Sequence, residues 1–262
     1  MALSTYLPEK MGSATVHPVG RFEAGSFQEF TVTYTAGYFG IDDTGSIKVV
    51  HRFASDMGRP QFDYPDRPNY TTVEASNGAV LQVEYDMKRN VRPWDKTLYI
   101  KVVRGFLREG DQIIIRFGDR RQGSPGIRVQ TFCEHTFEFR VLVDAIATYQ
   151  YVQLPEQPAI AIVPGPAVGY KIIIPTAREK GGVLKIKIKG EDKWGNPSDQ
   201  VDTRFRLESN IRVEGLPDFV QFEPGQFTLE IPSVMTLETG DLLVSLIDEN
   251  CLLYTSPSPR DA

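Results

Sequence analysis

The chain has 262 residues, 41% apolar and 24% charged, with 29 lysines and arginines against 34 aspartates and glutamates and a net charge of −5. That length exceeds one small sandwich and suits two domains with a core each. The acidic balance excludes a general nucleic-acid binder, which needs surplus cations to displace phosphate counterions. No apolar run approaches the ~20 residues that cross a bilayer as a helix. Cys133 and Cys251 are the only cysteines, so no disulfide framework demands an oxidising compartment. Residues 1–18 lack the basic start and apolar run of a secretory leader, and a cytoplasmic location is the expectation.

Strand signals dominate from the first third onward. Phe30, Val32, Tyr34 and Ala36 alternate with Glu29, Thr31, Thr33 and Thr35, the period of two that a half-buried antiparallel strand requires. Ile47, Val49 and Phe53 continue the pattern, followed by Leu98, Ile100 and Val102, and then by Ile113, Ile115 and Phe117 after the turn at Glu109-Gly110-Asp111. The longest alternation runs over 127–143, with Val129, Cys133, Phe137, Phe139 and Val141 on its apolar side. The proline-rich segment 154–158 reads as a linker. Short strands then resume over 159–163, 170–174, 183–189, 203–207, 226–231 and 241–247. No stretch has helical periodicity. The expected fold is all-β: two consecutive Ig-like antiparallel β-sandwiches. An N-terminal arm spans 1–20, the first sandwich 21–153, the second, incomplete at its closing edge, 154–250, and a tail 251–262. Pro257 and Pro259 deny that tail a central strand. It resembles the translated adapter tails of proteins assembled from sequencing reads, so 256–262 is expected to make no native packing.

Several motifs carry a structural and a functional reading. Residues 191–197 (E-D-K-W-G-N-P) resemble the strand-connecting turn of bacterial invasin-like Ig modules; the turn is either a binding loop or a reversal pinned by Trp194 packing. Lys185, Lys187 and Lys189 line one sheet face, as an anion-attracting strip or a solvated edge. His51 falls in phase with Val49 and Phe53, and His135 with Cys133 and Phe137. Both are therefore expected to be buried without a metal, with Cys133 as a small core residue, while His17 lies in the arm. No nucleophile elbow, phosphate loop or Ser/His/Asp order appears. No catalytic residue, metal ligand or cofactor is therefore assigned.

Two loops stand out by length and charge. Residues 55–69 (S-D-M-G-R-P-Q-F-D-Y-P-D-R-P-N) and 118–126 (G-D-R-R-Q-G-S-P-G) suit docking of another module or a ligand. The candidate residues are Arg59, Gln61, Asp63, Tyr64, Asp119, Arg120 and Arg121. Phe62, Tyr64 and Tyr70 add ring faces on which a sugar can stack.

In combination, GSATV at 12–16, YTAGYFGIDDTGSI at 34–47, RPWD at 92–95, QTFCE at 130–134 and VEGLP at 213–217 resemble the N-terminal β-region of a large bacterial family. It is the domain-of-unknown-function family numbered 3604, whose later part is similar to a PHP-type metal-dependent hydrolase. The resemblance implies a non-catalytic accessory region whose partner is the downstream hydrolase domain. The family's Gly-Asp-Leu-His motif is absent here, so no metal ligand transfers to this chain. The alternative is an independent carbohydrate- or protein-binding module, and a self-contained enzyme is the weakest reading.

Overall fold

The computed structural model describes residues 7–248 and 253–255. Apart from one 3-10 turn at Pro8–Lys10, the described residues form strands, turns and loops, without an α-helix, so no described helix is long and apolar enough to cross a membrane. The chain divides into two compact units, 1–163 and 164–262, each an all-β sandwich of largely antiparallel sheets.

The first unit contains β1 (Gly12–His17), β2 (Arg21–Glu23), β3 (Phe27–Gln28), β4 (Phe30–Ala36), β5 (Ser46–His51), β6 (Thr71–Ala75) and β7 (Val80–Asp86). It continues with β8 (Lys96–Arg104), β9 (Gln112–Phe117), β10 (Ile127–Arg128), β11 (Glu134–Glu138), β12 (Arg140–Asp144), β13 (Val152–Gln153) and β14 (Ala159–Val163). One main sheet has the order β1-β4-β9-β6 and the other β13-β12-β5-β8-β7, with small sheets β10-β3 and β11-β14-β2 beside them. The alternation read in β4 holds: Phe30, Val32, Tyr34 and Ala36 are buried. They meet Ile47, Val49, Leu98, Ile100, Ile113, Ile115 and Phe139 in one core. Apolar side chains from the facing sheets thus exclude water together, each contributing about 1.5–3 kcal/mol.

Three boundaries differ from the sequence expectation. Residues 12–17 are no loose arm, because β1 pairs with β4 from Gly12↔Ala36 to His17↔Thr31 and the Tyr34 hydroxyl donates to the Met11 carbonyl at 2.6 Å. Residues 159–163 belong to the first unit. Strand β14 lies antiparallel to β11 and parallel to β2, burying Ile160 and Ile162. The boundary therefore follows Val163, ten residues beyond the end expected for the first sandwich at 153. Phe53 lies past the end of β5 and is half exposed.

The second unit contains β15 (Gly169–Ile173), β16 (Val183–Glu191), β17 (Pro197–Ser198), β18 (Arg204–Ser209), β19 (Val213–Glu214), β20 (Phe219–Gln221), β21 (Thr228–Thr236), β22 (Val244–Ile247) and β23 (Leu253–Thr255). Its sheets run β15-β16-β21-β19, with β17 on β16, and β20-β18-β22-β23. Leu184, Ile186 and Ile188 enter its core. The intervening lysines are paired, Lys185 and Lys187 with Glu230 across to β21 and Lys189 with Glu191 along β16 itself. Two ammonium donors hold Glu230 down to about 2. The turn after β16 is pinned by Asp192 rather than by Trp194, which is 43% exposed. The buried Asp192 carboxylate accepts from the amides of Trp194 and Asn196 and from the Asn196 side chain, each at 2.9 Å. Part of the expected tail is a strand: Leu253–Thr255 pairs with β22 as the sheet edge, and the Tyr254 ring packs edge-on against Tyr170. Residues 256–262 lie outside the described residues.

Ending the chain after Gln153 removes Ile160 and Ile162 and unpairs β2 and β11. That loss of roughly 5 kcal/mol or more rivals the whole stability of a domain, about 5–15 kcal/mol. Residues 1–153 are expected to give no cooperative thermal transition, and 1–163 to give one, by near-ultraviolet circular dichroism.

Candidate functional site

The two loops singled out by sequence meet at one end of the first unit. The Asn69 amide donates to the Gly126 carbonyl and the Asp119 amide to the Tyr70 carbonyl, both at 2.8 Å. The Asn69 side-chain oxygen accepts from the Arg128 amide at 3.0 Å. Gly118 starts the second loop with φ +71°, and a Cβ there would stand 2.0 Å from the Ile127 nitrogen. Only glycine allows that approach.

Most of the candidate charges are engaged inside this construction. The buried Asp119 carboxylate accepts from the Thr72 hydroxyl at 2.7 Å and from the Arg121 guanidinium at 2.6 Å. Those Arg121 hydrogen bonds hold its pKa well below the usual carboxylate range. Arg120 donates to the carbonyls of Phe27 and Pro125, at 2.7 and 3.1 Å, and its amide donates to Glu29. Gln61 closes its own turn, accepting from the amides of Asp63 and Tyr64 and donating to the Tyr64 carbonyl. Arg59, Asp63 and Tyr64 are left facing solvent, the Tyr64 ring with Arg67 beside it at 4.7 Å. Asp56, not among the candidates, anchors the first loop by accepting from the Thr131 amide and hydroxyl, both at 2.8 Å.

The histidines part company. His51 is buried in β5 against Phe137, Phe139 and Phe117, with ring centroids 5.1, 5.3 and 6.1 Å away. Its Nε2 has no hydrogen-bond partner among the described residues. Burial, with Lys96 nearby, lowers its pKa from 6.5 to about 4. His135 and Cys133 are exposed, contrary to expectation. A register shift between Glu134 and Phe137 interrupts β11, and a bulge changes which faces the residues before it occupy. Among the described residues no three His, Cys, Asp or Glu side chains group as metal ligands.

A second place was not singled out by sequence. On the outer face of the five-stranded sheet, Lys48 stands opposite Tyr99 on one neighbour and Leu142 on the other. Outer-face residues of a sandwich are ordinarily solvated, yet Lys48 is 8% exposed and Tyr99 buried. The loops 87–95 and 145–151 flank them and leave a shallow hollow of about 590 Å³. The Lys48 ammonium lies 3.8 Å from the Tyr151 ring centre and donates to the Arg89 carbonyl and the Asn90 side-chain oxygen at 3.3 and 3.4 Å. Asn90 in turn donates to the Trp94 carbonyl at 2.9 Å, tying the RPWD segment to the hollow. Burial first, and then Arg89, lower the Lys48 pKa. Burial pushes the Tyr151 phenol up to about 12, and its hydroxyl shares a 2.7 Å bond with Ser46. The Arg89 guanidinium stacks 3.8 Å over Tyr99. At the rim, Tyr149 is 80% exposed with φ +61°, a left-handed conformation costing about 1 kcal/mol or more for a residue with a Cβ. The buried Asp144 holds it there, accepting the Tyr149 amide at 2.7 Å. These residues are scattered over a hundred positions, and the only local signal for them was the tyrosine-rich stretch at 149–151.

No family model matches the chain, and no curated protein matches it. A solved structure described as "crystal structure of chicken TCR for 2.0" is similar at 7% identity, covering 94% of this chain and 99% of that one, with a TM-score of 0.26.

Two outcomes follow from these environments. Unfolded His51 binds a proton near pH 6.5 and folded His51 only near pH 4. Between those values the unfolded state holds more protons, so stability falls as pH drops, by about 3 kcal/mol in all. His51→Phe is expected to flatten that stretch of the pH–stability curve in urea titrations. Asp119→Ala leaves the Thr72 hydroxyl and the Arg121 amide without their acceptor. It is expected to cost about 2–4 kcal/mol in the same assay, against less than about 1 kcal/mol for the solvent-facing Arg59→Ala.

Proposed function

We propose that this chain is the non-catalytic accessory β-sandwich region of a larger protein, partnered by a domain similar to a PHP-type metal-dependent hydrolase. The family resemblance supplies the partner. The observation that carries the accessory role is the loop end of the first unit. There backbone bonds and the Asn69 side chain tie the two long loops to each other, while Asp119, Arg120 and Arg121 hold the second loop to its own turn and to neighbouring strands, which presents Arg59, Asp63 and Tyr64 on a fixed surface. A fixed surface loses little conformational entropy when it docks. The second reading, an independent carbohydrate- or protein-binding module, is favoured by the aromatic and cationic hollow on the five-stranded sheet.

The test of docking uses the chain and a hydrolase domain of the family made separately and mixed. The combined change of Arg59, Asp63 and Tyr64 to alanine is expected to weaken their association about tenfold or more without moving the thermal transition of the chain. Unchanged association, or none between the unaltered partners by calorimetry, removes this reading.

A further inference from the structure

Three properties of the hollow describe a ligand. First, its lining holds three cations, Lys48, Lys88 and Arg89, and no carboxylate. Of the acids nearby, Glu84 pairs with Arg89 and offsets part of its charge, Asp86 accepts the Lys88 amide, and Asp144 accepts the amides of Thr148 and Tyr149, so that Lys48 and Lys88 are the lining cations without a carboxylate partner among the described residues. Second, the Lys48 ammonium is held by long bonds to two neutral oxygens and by the face of the Tyr151 ring, with no charged acceptor, in surroundings that disfavour its charge. An incoming anion gives it the short, charge-assisted contact it lacks. Third, the hollow presents tyrosine rings at two depths, Tyr99 and Tyr151 in the floor and Tyr149 held outward at the rim. A rigid tyrosine offers an apolar face with a polar tip, which suits a ring that is apolar on one side and hydroxylated at its edge.

We propose that this hollow binds an acidic saccharide, a sugar ring stacking on Tyr149 and Tyr151 while its carboxylate or sulfate pairs with Lys48, Lys88 and Arg89. A nucleotide also combines a ring with an anion. The one side-chain amide in the lining, Asn90, already donates to Trp94 and accepts from Lys48, so it is not left to read a base edge. The site shares no residue with the loop end assigned to docking; the proposal rests on the second reading, a carbohydrate-binding module, and gives it a ligand class.

The experiment is an array of uronate-bearing, sulfated and neutral oligosaccharides, followed by calorimetric titration of the best binder and of adenosine monophosphate. Saturable binding of an acidic oligosaccharide is expected, about tenfold or more tighter than its neutral counterpart. Tyr149→Ala, an exposed change that leaves the core untouched, is expected to weaken it about tenfold. Lys48→Met is expected to abolish the preference for the acidic over the neutral sugar, a ratio that remains readable if the variant is less stable. The uronate and sulfate arms identify which anion is seated. Absence of binding across the acidic sugars, equal binding of the neutral ones, indifference to Tyr149→Ala, or tighter binding of adenosine monophosphate each overturns the proposal.

Discussion

Strand β5 is buried along its whole length, and the first unit is organised by what that burial demands. In an antiparallel sandwich one face of each strand meets the core and the other meets water. Here both faces of Ser46–His51 are covered. The inner face brings an imidazole into an aromatic cluster, where neutrality is the cheapest state for a group without a partner. The outer face brings in an ammonium that cannot be neutral as readily. It is therefore surrounded by a ring face, a backbone carbonyl and an amide oxygen. Covering that face takes two loops, 87–95 and 145–151, and the space between them is the hollow. One strand thus produces both the pH-sensitive core and the ligand site proposed for the surface.

Elsewhere, single carboxylates accept several backbone and side-chain donors and so fix loops that regular hydrogen bonding does not reach. Asp119, Asp56 and Asp144 do this in the first unit and Asp192 in the second. An aspartate suits the task because its short side chain accepts from several donors at once, from amides two to five residues on at Asp119, Asp144 and Asp192 and from the distant Thr131 at Asp56. A sequence rich in Asp, Gly and Arg in a loop therefore has two opposite meanings. The charges either face a partner or face the loop's own backbone, and spacing alone does not tell them apart.

That ambiguity marks how far the sequence was legible. Alternation placed β4, β8, β9 and β16 and their core residues, because strands flanked by solvent on one side print their exposure directly into the chain. It misplaced His135 and Cys133, because a register shift changes phase without changing composition. It misassigned Ala159–Val163, because a proline-rich segment separates this strand from its antiparallel partner Glu134–Glu138 and its parallel partner Arg21–Glu23 is far away in sequence. Of the candidate loop residues, Arg59, Asp63, Tyr64, Arg120 and Arg121 are exposed. Asp119 turns inward to Thr72, a partner on another strand that spacing does not reveal, and Gln61 closes its own turn. The hollow was illegible for a related reason. Lys48 and Tyr99 occupy the polar phase of their strands, where solvation is the default, and their burial depends on loops forty and a hundred residues away.

The net charge of the chain bears on that hollow in a specific way. A protein at −5 repels anions at long range, which opposes the approach of an anionic ligand. At physiological ionic strength, however, exposed charges beyond a Debye length of about 8 Å are largely screened. The potential inside the hollow is then set by Lys48 and Lys88, by Arg89 with its Glu84 partner, and by a lining that itself holds no acid. Distant carboxylates act on the approach of a long polyanion and much less on a single acidic ring already in contact. Cations without surplus positive charge elsewhere, joined to stacking faces, discriminate against nucleic acid, whose affinity rests on many phosphate contacts at once. They favour a ligand that presents one anion and one ring face together, because only such a ligand meets both halves of the site.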